Sequence, residues 1–418
     1  ALRTCEEGLR RLHGGNLYAL GCLHLASGVG RIARGEMAEA HVSLQVARAT
    51  YENGQSRFGA AMAFALLGLT YAIEGRLERA LCAWREGESL VHLLPTASST
   101  ESIAVGYAPL VLYEQNRLDA VDAYLARCFA RTAEILLPDM VSALYVAAAR
   151  TAFARDDHDR AADYLEEAEN IGLRRKWPRL VLVASAERIS LALRRGDWNE
   201  AMRLKKAMDA RQASLPAGLQ GMDLEGPGLL DWRIKVFKEP SRSLISELHT
   251  AAARAVAEKR IWRAIRLMVL EAVARDRMGA RSGALRTMAR AIGMGALGGF
   301  VRVFADAGRA SVDLLRELAE QEARTPSTPP IDYRSVLAAA RLDMPAKRDV
   351  DEPLEALSPR ETDVLRMVAA GLSNRELARR LAVSENTVKW HLQRIFAKVG
   401  AKNRTRAAVI ARRRGLIT

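Results

Sequence analysis

The sequence predicts an all-α chain, a long solenoid of helical hairpins followed by a four-helix domain built around a helix-turn-helix. Three observations lead to this expectation. Turn residues recur about every 40 residues through the first half of the chain, helix-capping signals crowd the last 61 residues, and most of the net positive charge sits in that same stretch.

The repeat comes first in the chain. Gly35, Gly75, Asn116, Asp156 and Gly196 are separated by 40, 41, 40 and 40 residues. Each is followed two positions on by a large, mostly apolar residue (Met37, Leu77, Leu118, His158, Trp198) and five positions on by a small one (Ala40, Ala80, Val121, Ala161, Ala201). A turn residue that ends one helix and a small residue that lets the next pack closely are the marks of stacked helical hairpins. Gly279, with Ala284 and Met288 at matching offsets, reads as a further unit two periods later, and a degenerate unit falls between them near Glu239 to Leu244. The segment from Leu215 to Gly228, rich in Gly and Pro, reads as a loop or a bend.

These units resemble tetratricopeptide repeats, although that repeat is about 34 residues long and these are longer. A hairpin cannot bury its apolar face alone, so the resemblance implies a superhelix with a concave side. Tyrosines in the first halves of the hairpins are expected on that side: Tyr71, Tyr107 and Tyr145 are the candidate effector contacts, with Tyr18 and Tyr113 in similar places. Residues 1–323 are read as this sensor or interaction region. Thr325 to Pro330 and Met344 to Pro353 are polar, Pro-containing and poorly periodic, so residues 324–353 read as a linker holding a short helix from Tyr333 to Arg341.

The last 61 residues carry the most specific pattern. Ser358 with Pro359 and Glu361, and Ser373 with Glu376, are two capping boxes; Ser384 and Asn403 cap two further helices, and Gly371, Gly400 and Gly415 end three of the four. A short helix joined by a three-residue turn to a longer one is a helix-turn-helix. On a helical wheel the third helix turns Val388, His391, Leu392, Ile395 and Val399 to one side, to pack on Leu365, Val368, Leu377 and Leu381, and Asn386, Lys389, Trp390, Gln393, Arg394 and Ala397 to the other. From Ser358 to Thr418 there are fourteen Lys or Arg and four Asp or Glu, a surplus of +10 out of +14 for the whole chain. Such a concentration suits the phosphates of double-stranded DNA.

Ser358-Pro359-Arg360-Glu361, Gly371-Leu372-Ser373-Asn374, Glu376-Leu377-Ala378, Ser384, Thr387-Val388-Lys389, His391, Ile395, Lys398 and Val399 resemble the LuxR-type (GerE-like) four-helix DNA-binding domain, which assigns residues 354–418 to it. Val399 stands where that family usually has Leu. The resemblance implies that Lys389, Trp390 and Gln393 face DNA. With the capping, amide and basic residues around them, the candidate DNA contacts are Ser373, Asn374, Ser384, Asn386, Thr387, Lys389, Trp390, Gln393, Arg394, Lys398 and Arg404. It also implies a homodimer on DNA through the last helix, where Ala407, Ala408 and Ala411 are small enough for close approach. The segments GGFVRVFADAG, SVDLLRELAEQ and IDYRSVLAAA resemble the end of the helical region in large regulators of the MalT type, which place a nucleotide-binding module first, helical repeats next and a LuxR-type domain last. This chain departs from them in lacking G-x-x-x-x-G-K-[ST], so no ATP site is expected. It begins at Ala1 inside a helical pattern, as a piece of something longer would.

Composition excludes other classes. A chain of 418 residues, 49% hydrophobic and 27% charged, has the makeup of a soluble protein of several domains. No run nears the ~18 apolar residues of a membrane helix and no signal peptide opens it, so no membrane partner and a cytoplasmic location are expected. Cys5, Cys22, Cys82 and Cys128 are isolated and read as reduced thiols in a core. Asp156-Asp157-His158-Asp159 reads as a solvated acidic turn, since a hard-cation loop needs more oxygen ligands at set spacing. No nucleophile turn or metal-ligand spacing is present, so neither an enzyme nor a cofactor is expected. The function implied is a transcription regulator whose repeats sense a small molecule and whose last domain binds a promoter, with RNA polymerase as a further partner. The alternative is the same DNA-binding domain on a scaffold regulated by a partner protein or by self-association.

Overall fold

A computed structural model describes residues 2–12, 16–91, 106–129, 138–212, 227–324, 333–343, 359–370 and 372–381, together with positions 388, 392, 395 and 407. It divides into two compact units, Ala1–Met344 and Pro345–Thr418. All the elements among the described residues are helices.

The turn residues read from the sequence share one backbone conformation. Gly35, Gly75, Asn116, Asp156, Gly196 and Gly279 have φ of 79°, 76°, 59°, 63°, 75° and 77°. At each, the N–H of the turn residue donates to the carbonyl three residues back and the next N–H to the carbonyl five back: Gly35 to Ile32 (3.1 Å) and Glu36 to Arg31 (3.0 Å), Gly196 to Leu193 (3.0 Å) and Asp197 to Ala192 (3.0 Å). These bonds satisfy carbonyls that the helix end would leave orphaned. Gln55, Lys176 and Lys259, at φ of 54°, 55° and 55°, repeat the motif midway between the others, so the solenoid turns at half the period visible in the sequence. Their long side chains hid them, because Gln and Lys are not residues a reader expects at positive φ. The degenerate unit has a different stop: Pro240 cannot continue the helix Pro227–Lys238, and Ser241 starts Arg242–Ala257 by accepting from the Leu244 N–H at 3.2 Å. The small residues five beyond each turn, Ala40, Ala80, Val121, Ala161 and Ala201, are buried at the helix crossings.

The two helices of a hairpin play different parts. The second is amphipathic: in His158–Arg174 the buried positions are Ala161, Leu165, Ala168, Ile171 and Gly172, a single stripe. The first is buried nearly all round, and in Pro138–Ala154 every residue from Met140 to Ala154 is buried. Only an inner layer covered on all sides by other helices explains this. The cover comes from curvature, because Arg57–Ile73 touches Ile261–Arg277 and Ala108–Glu114 touches Arg302–Ala305, helices nearly 200 residues apart. The inner layer thus closes on itself, and one apolar core runs from Ile32 to Ala340.

Several expectations change. The short helix, Tyr333–Asp343, is not part of a linker: Tyr333, Val336, Ala339 and Ala340 are buried in the solenoid core, and the helix packs on Arg302–Ala305 and Arg309–Arg324. Its apolar stripe requires that cover. Pro227 and Gly228 open a helix instead of closing a loop, as Pro can at a first turn. The rest of the loop from Leu215, and the linkers Thr325 to Pro330 and Met344 to Pro353, lie outside the described residues. Cys5 and Cys128 are buried, but Cys22 and Cys82 are exposed, since they fall on the solvent side of their helices. In the acidic turn Asp157 caps a helix by accepting from the Arg160 N–H at 3.2 Å, and His158 Nε2 lies 3.0 Å from Asp156 Oδ1.

Candidate nucleic-acid interface and solenoid cavity

In the C-terminal unit the helices Pro359–Ala369 and Asn374–Leu381 are joined by a tight turn, with the Ala370 N–H on Arg366 O at 2.9 Å and the Leu372 N–H on Met367 O at 3.2 Å. The second helix opens on the capping box that its sequence specifies. The Glu376 N–H donates to Ser373 Oγ at 3.3 Å, while the Ser373 N–H and hydroxyl both donate to Glu376 Oε2 at 2.6 Å. Val364, Leu365 and Val368 of the first helix and Leu377 and Ala378 of the second form one core with Val388, Leu392 and Ile395. The spacing of those last three, four then three residues, is one face of a helix, and it is the inward face that the wheel selects.

Of the candidate DNA contacts, Ser373 is exposed but committed to the cap, and Asn374 is half-buried at the first helical position. Ser384, Asn386, Thr387, Lys389, Trp390, Gln393, Arg394, Lys398 and Arg404 lie outside the described residues, as do Ala408, Ala411, His391 and Val399. Ala407 does not sit on a free dimerisation face. It has no exposed surface and belongs to the core of this unit, in one cluster with Leu365, Leu377 and Val388.

In the solenoid the three candidate effector tyrosines do not converge. Tyr71 is half-buried against His41 and Arg76, and Tyr107 is buried beside Trp84. Tyr145 is buried against Phe129 and reaches an outer groove with Tyr164, Ile171 and Arg175. What sequence reasoning missed is a charged cavity of about 40 Å³ among the inner helices. Arg150 and Glu187 pair across it with two 2.7 Å bonds, both side chains buried. Asp306 accepts from Arg194 at 3.0 Å and from the Tyr113 hydroxyl at 2.7 Å. Glu114, wholly buried, accepts the Val303 N–H at 2.7 Å. Burial pushes its carboxyl up to about 7, against the lowering pull of Arg266, the Val303 N–H and Arg150. Arg233 and Arg266 complete the wall. The signal for this site was present: Arg150 and Glu187 are ionisable residues inside runs such as AAARTAFA and ASAERISLAL that are otherwise built for a core.

The comparisons with known proteins agree with both units. Residues 1–321 match the family model described as the MalT-like TPR region, and residues 355–411 match that of bacterial regulatory proteins, luxR family. The HTH-type transcriptional regulator AlkS of Alcanivorax borkumensis is 34% identical over 114 residues, 27% of this chain and 12% of that protein. The uncharacterized transcriptional regulatory protein YxjL of Bacillus subtilis is 37% identical over 110 residues, 25% of this chain and 47% of that protein. The nitrate/nitrite response regulator protein homolog of Haemophilus influenzae is 43% identical over 60 residues, 14% of this chain and 29% of its own. The chain therefore spans less than half the length of each of these relatives. The match over three quarters of its residues shows that this chain belongs to the MalT-like TPR family and carries the luxR-family domain of bacterial regulatory proteins.

Proposed function

We propose that this chain is a sequence-specific transcription regulator in which an effector held by the helical-repeat region controls the C-terminal DNA-binding domain, and that two copies act together on adjacent half-sites. The observation that carries the reading is the capped helix Asn374–Leu381 packed through Leu377 and Ala378 on the stripe Val388, Leu392 and Ile395, within the luxR-family match and in a segment with a charge surplus of +10. A short helix braced in this way against a longer one supports the longer one in the major groove, and one such motif reads only a few base pairs, so useful specificity takes two. The buried charged cavity supports a sensing role, since ionic groups in a core add little stability compared with apolar ones.

The test is anisotropy of the full chain on duplexes selected from a random library. Binding should enrich a sequence with two-fold symmetry, and affinity should fall with salt by about 0.9 log unit per phosphate contact for each decade of salt. A selected pool no tighter than random duplex, or binding indifferent to salt, would overturn the reading.

A further inference from the structure

We propose that the cavity walled by Arg150, Arg194, Arg233 and Arg266 binds the oxyanion head group, carboxylate or phosphate, of a small acidic effector, an assignment that rests on the sensing role proposed above. Four guanidiniums and three carboxylates line it, so the charge of its lining is positive. Two of the carboxylates are engaged: Glu187 holds Arg150 with both oxygens, and Asp306 holds Arg194 with one and the Tyr113 hydroxyl with the other. The third, Glu114, is raised toward neutrality by burial, which leaves the surplus between +1 and +2 near neutral pH, counting four Arg against two or three anions. A positive surplus in a recess whose floor, Arg150, Glu187 and Glu114, is buried attracts anions more strongly than the same charges would on an open surface.

Size narrows the ligand. The volume of about 40 Å³ takes about three water-sized centres, at roughly 10–15 Å³ each, which is the size of a carboxylate. The planar, forked donors of arginine match carboxylate and phosphate oxygens in pairs, as Arg150 already does with Glu187. The wall is also placed to transmit occupancy. Its arginines come from four inner helices, Pro138–Ala154, Pro178–Arg194, Pro227–Lys238 and Ile261–Arg277, and Val303, Asp306 and Ala307 line it from the segment at Arg302–Ala305 that packs on Ala108–Glu114 and Ile261–Arg277. An anion that draws these guanidiniums together tightens separate hairpins against the segment at Arg302–Ala305, and it shifts the equilibrium of the chain only if it binds the tightened arrangement better.

The test uses the full chain, with acetate, succinate and inorganic phosphate as probes and chloride at matched ionic strength as reference. Thermal melting and calorimetry should show saturable binding of at least one oxyanion, weakened ten-fold or more by Arg266→Gln and, separately, by Arg233→Gln. Both positions are half-buried, and circular dichroism establishes that each variant is folded. Acetate and succinate acting without phosphate would assign a carboxylate effector, and the reverse a phosphorylated one. Stabilisation no greater than with chloride, or binding undiminished in both folded variants, would overturn the site. DNA affinity measured with and without the bound probe separates the two proposals. Binding through these arginines with no effect on DNA affinity keeps the site and removes the sensing role. A different metabolite that changes DNA affinity equally in wild type and Arg266→Gln keeps the sensing role and removes this site.

Discussion

Arg150 and Glu187, on neighbouring inner helices, form a two-pronged pair with both bonds at 2.7 Å and almost no exposed surface on either side chain. Their mutual attraction offsets the cost of taking two charges out of water only while both are present. Glu187→Ala should therefore cost about 3–5 kcal/mol of stability in urea denaturation, and Arg150→Ala a similar amount. The double change Arg150→Met with Glu187→Leu should restore most of it. If the double variant were as unstable as either single one, the pair would hold more than itself together.

Glu114 gives the solenoid a pH dependence of definite sign. Its value in the folded chain, about 7, lies above the ordinary 4.5, because burial disfavours the carboxylate. Between those two pH values the folded chain holds a proton that the unfolded chain has released. The stabilisation is therefore full at low pH and is lost as pH rises through 7. Glu114→Gln keeps an acceptor for the Val303 N–H and has no proton to lose. Its stability relative to wild type should rise between pH 5 and pH 8 by about 3 kcal/mol at most, measured by denaturation at each pH.

Gly68 lies flat under Trp84. A methyl group there would come within 2.6 Å of Trp84 Cδ1, and the indole cannot retreat without giving up its 3.0 Å bond from Nε1–H to the carbonyl of Ala65. Gly68→Ala should cost about 1–3 kcal/mol through overpacking, although alanine is the better helix former. A stabilised variant in the same denaturation assay would show that the hairpin shifts more easily than this contact suggests.

On DNA, Gln393→Ala should lose roughly 1–3 kcal/mol on the selected site and little on random duplex, if the amide pairs with a base edge. Lys389→Ala should weaken both alike if its contact is to phosphate. Anisotropy on the two duplexes distinguishes these outcomes. A base preference unchanged in both variants and in Trp390→Ala would move sequence reading to Asn386 or Arg394.

The sequence alone determined the all-α class, the order of the two units, the six turn residues at positive φ from Gly35 to Gly279, and the capping box of Ser373 and Glu376, because helix ends and turns are local: a few adjacent residues satisfy or strand the backbone groups. It also identified the inward stripe Val388, Leu392 and Ile395, since periodicity of apolar residues reports which side of a helix is covered. Tertiary structure decided the rest. Curvature accumulates over many hairpins, so no local pattern revealed that Ala108–Glu114 meets Arg302–Ala305 or that Tyr333–Asp343 belongs to the core. Ala407 shows the same limit at smaller scale: a small residue suits a close contact within a domain as well as one between two copies, and only the packing showed which it makes. The cavity depended most on the folded chain. Arg194 and Asp306 are 112 residues apart and Tyr113 and Asp306 are 193 apart, and the burial that raises Glu114 exists only where curvature has brought these distant segments together.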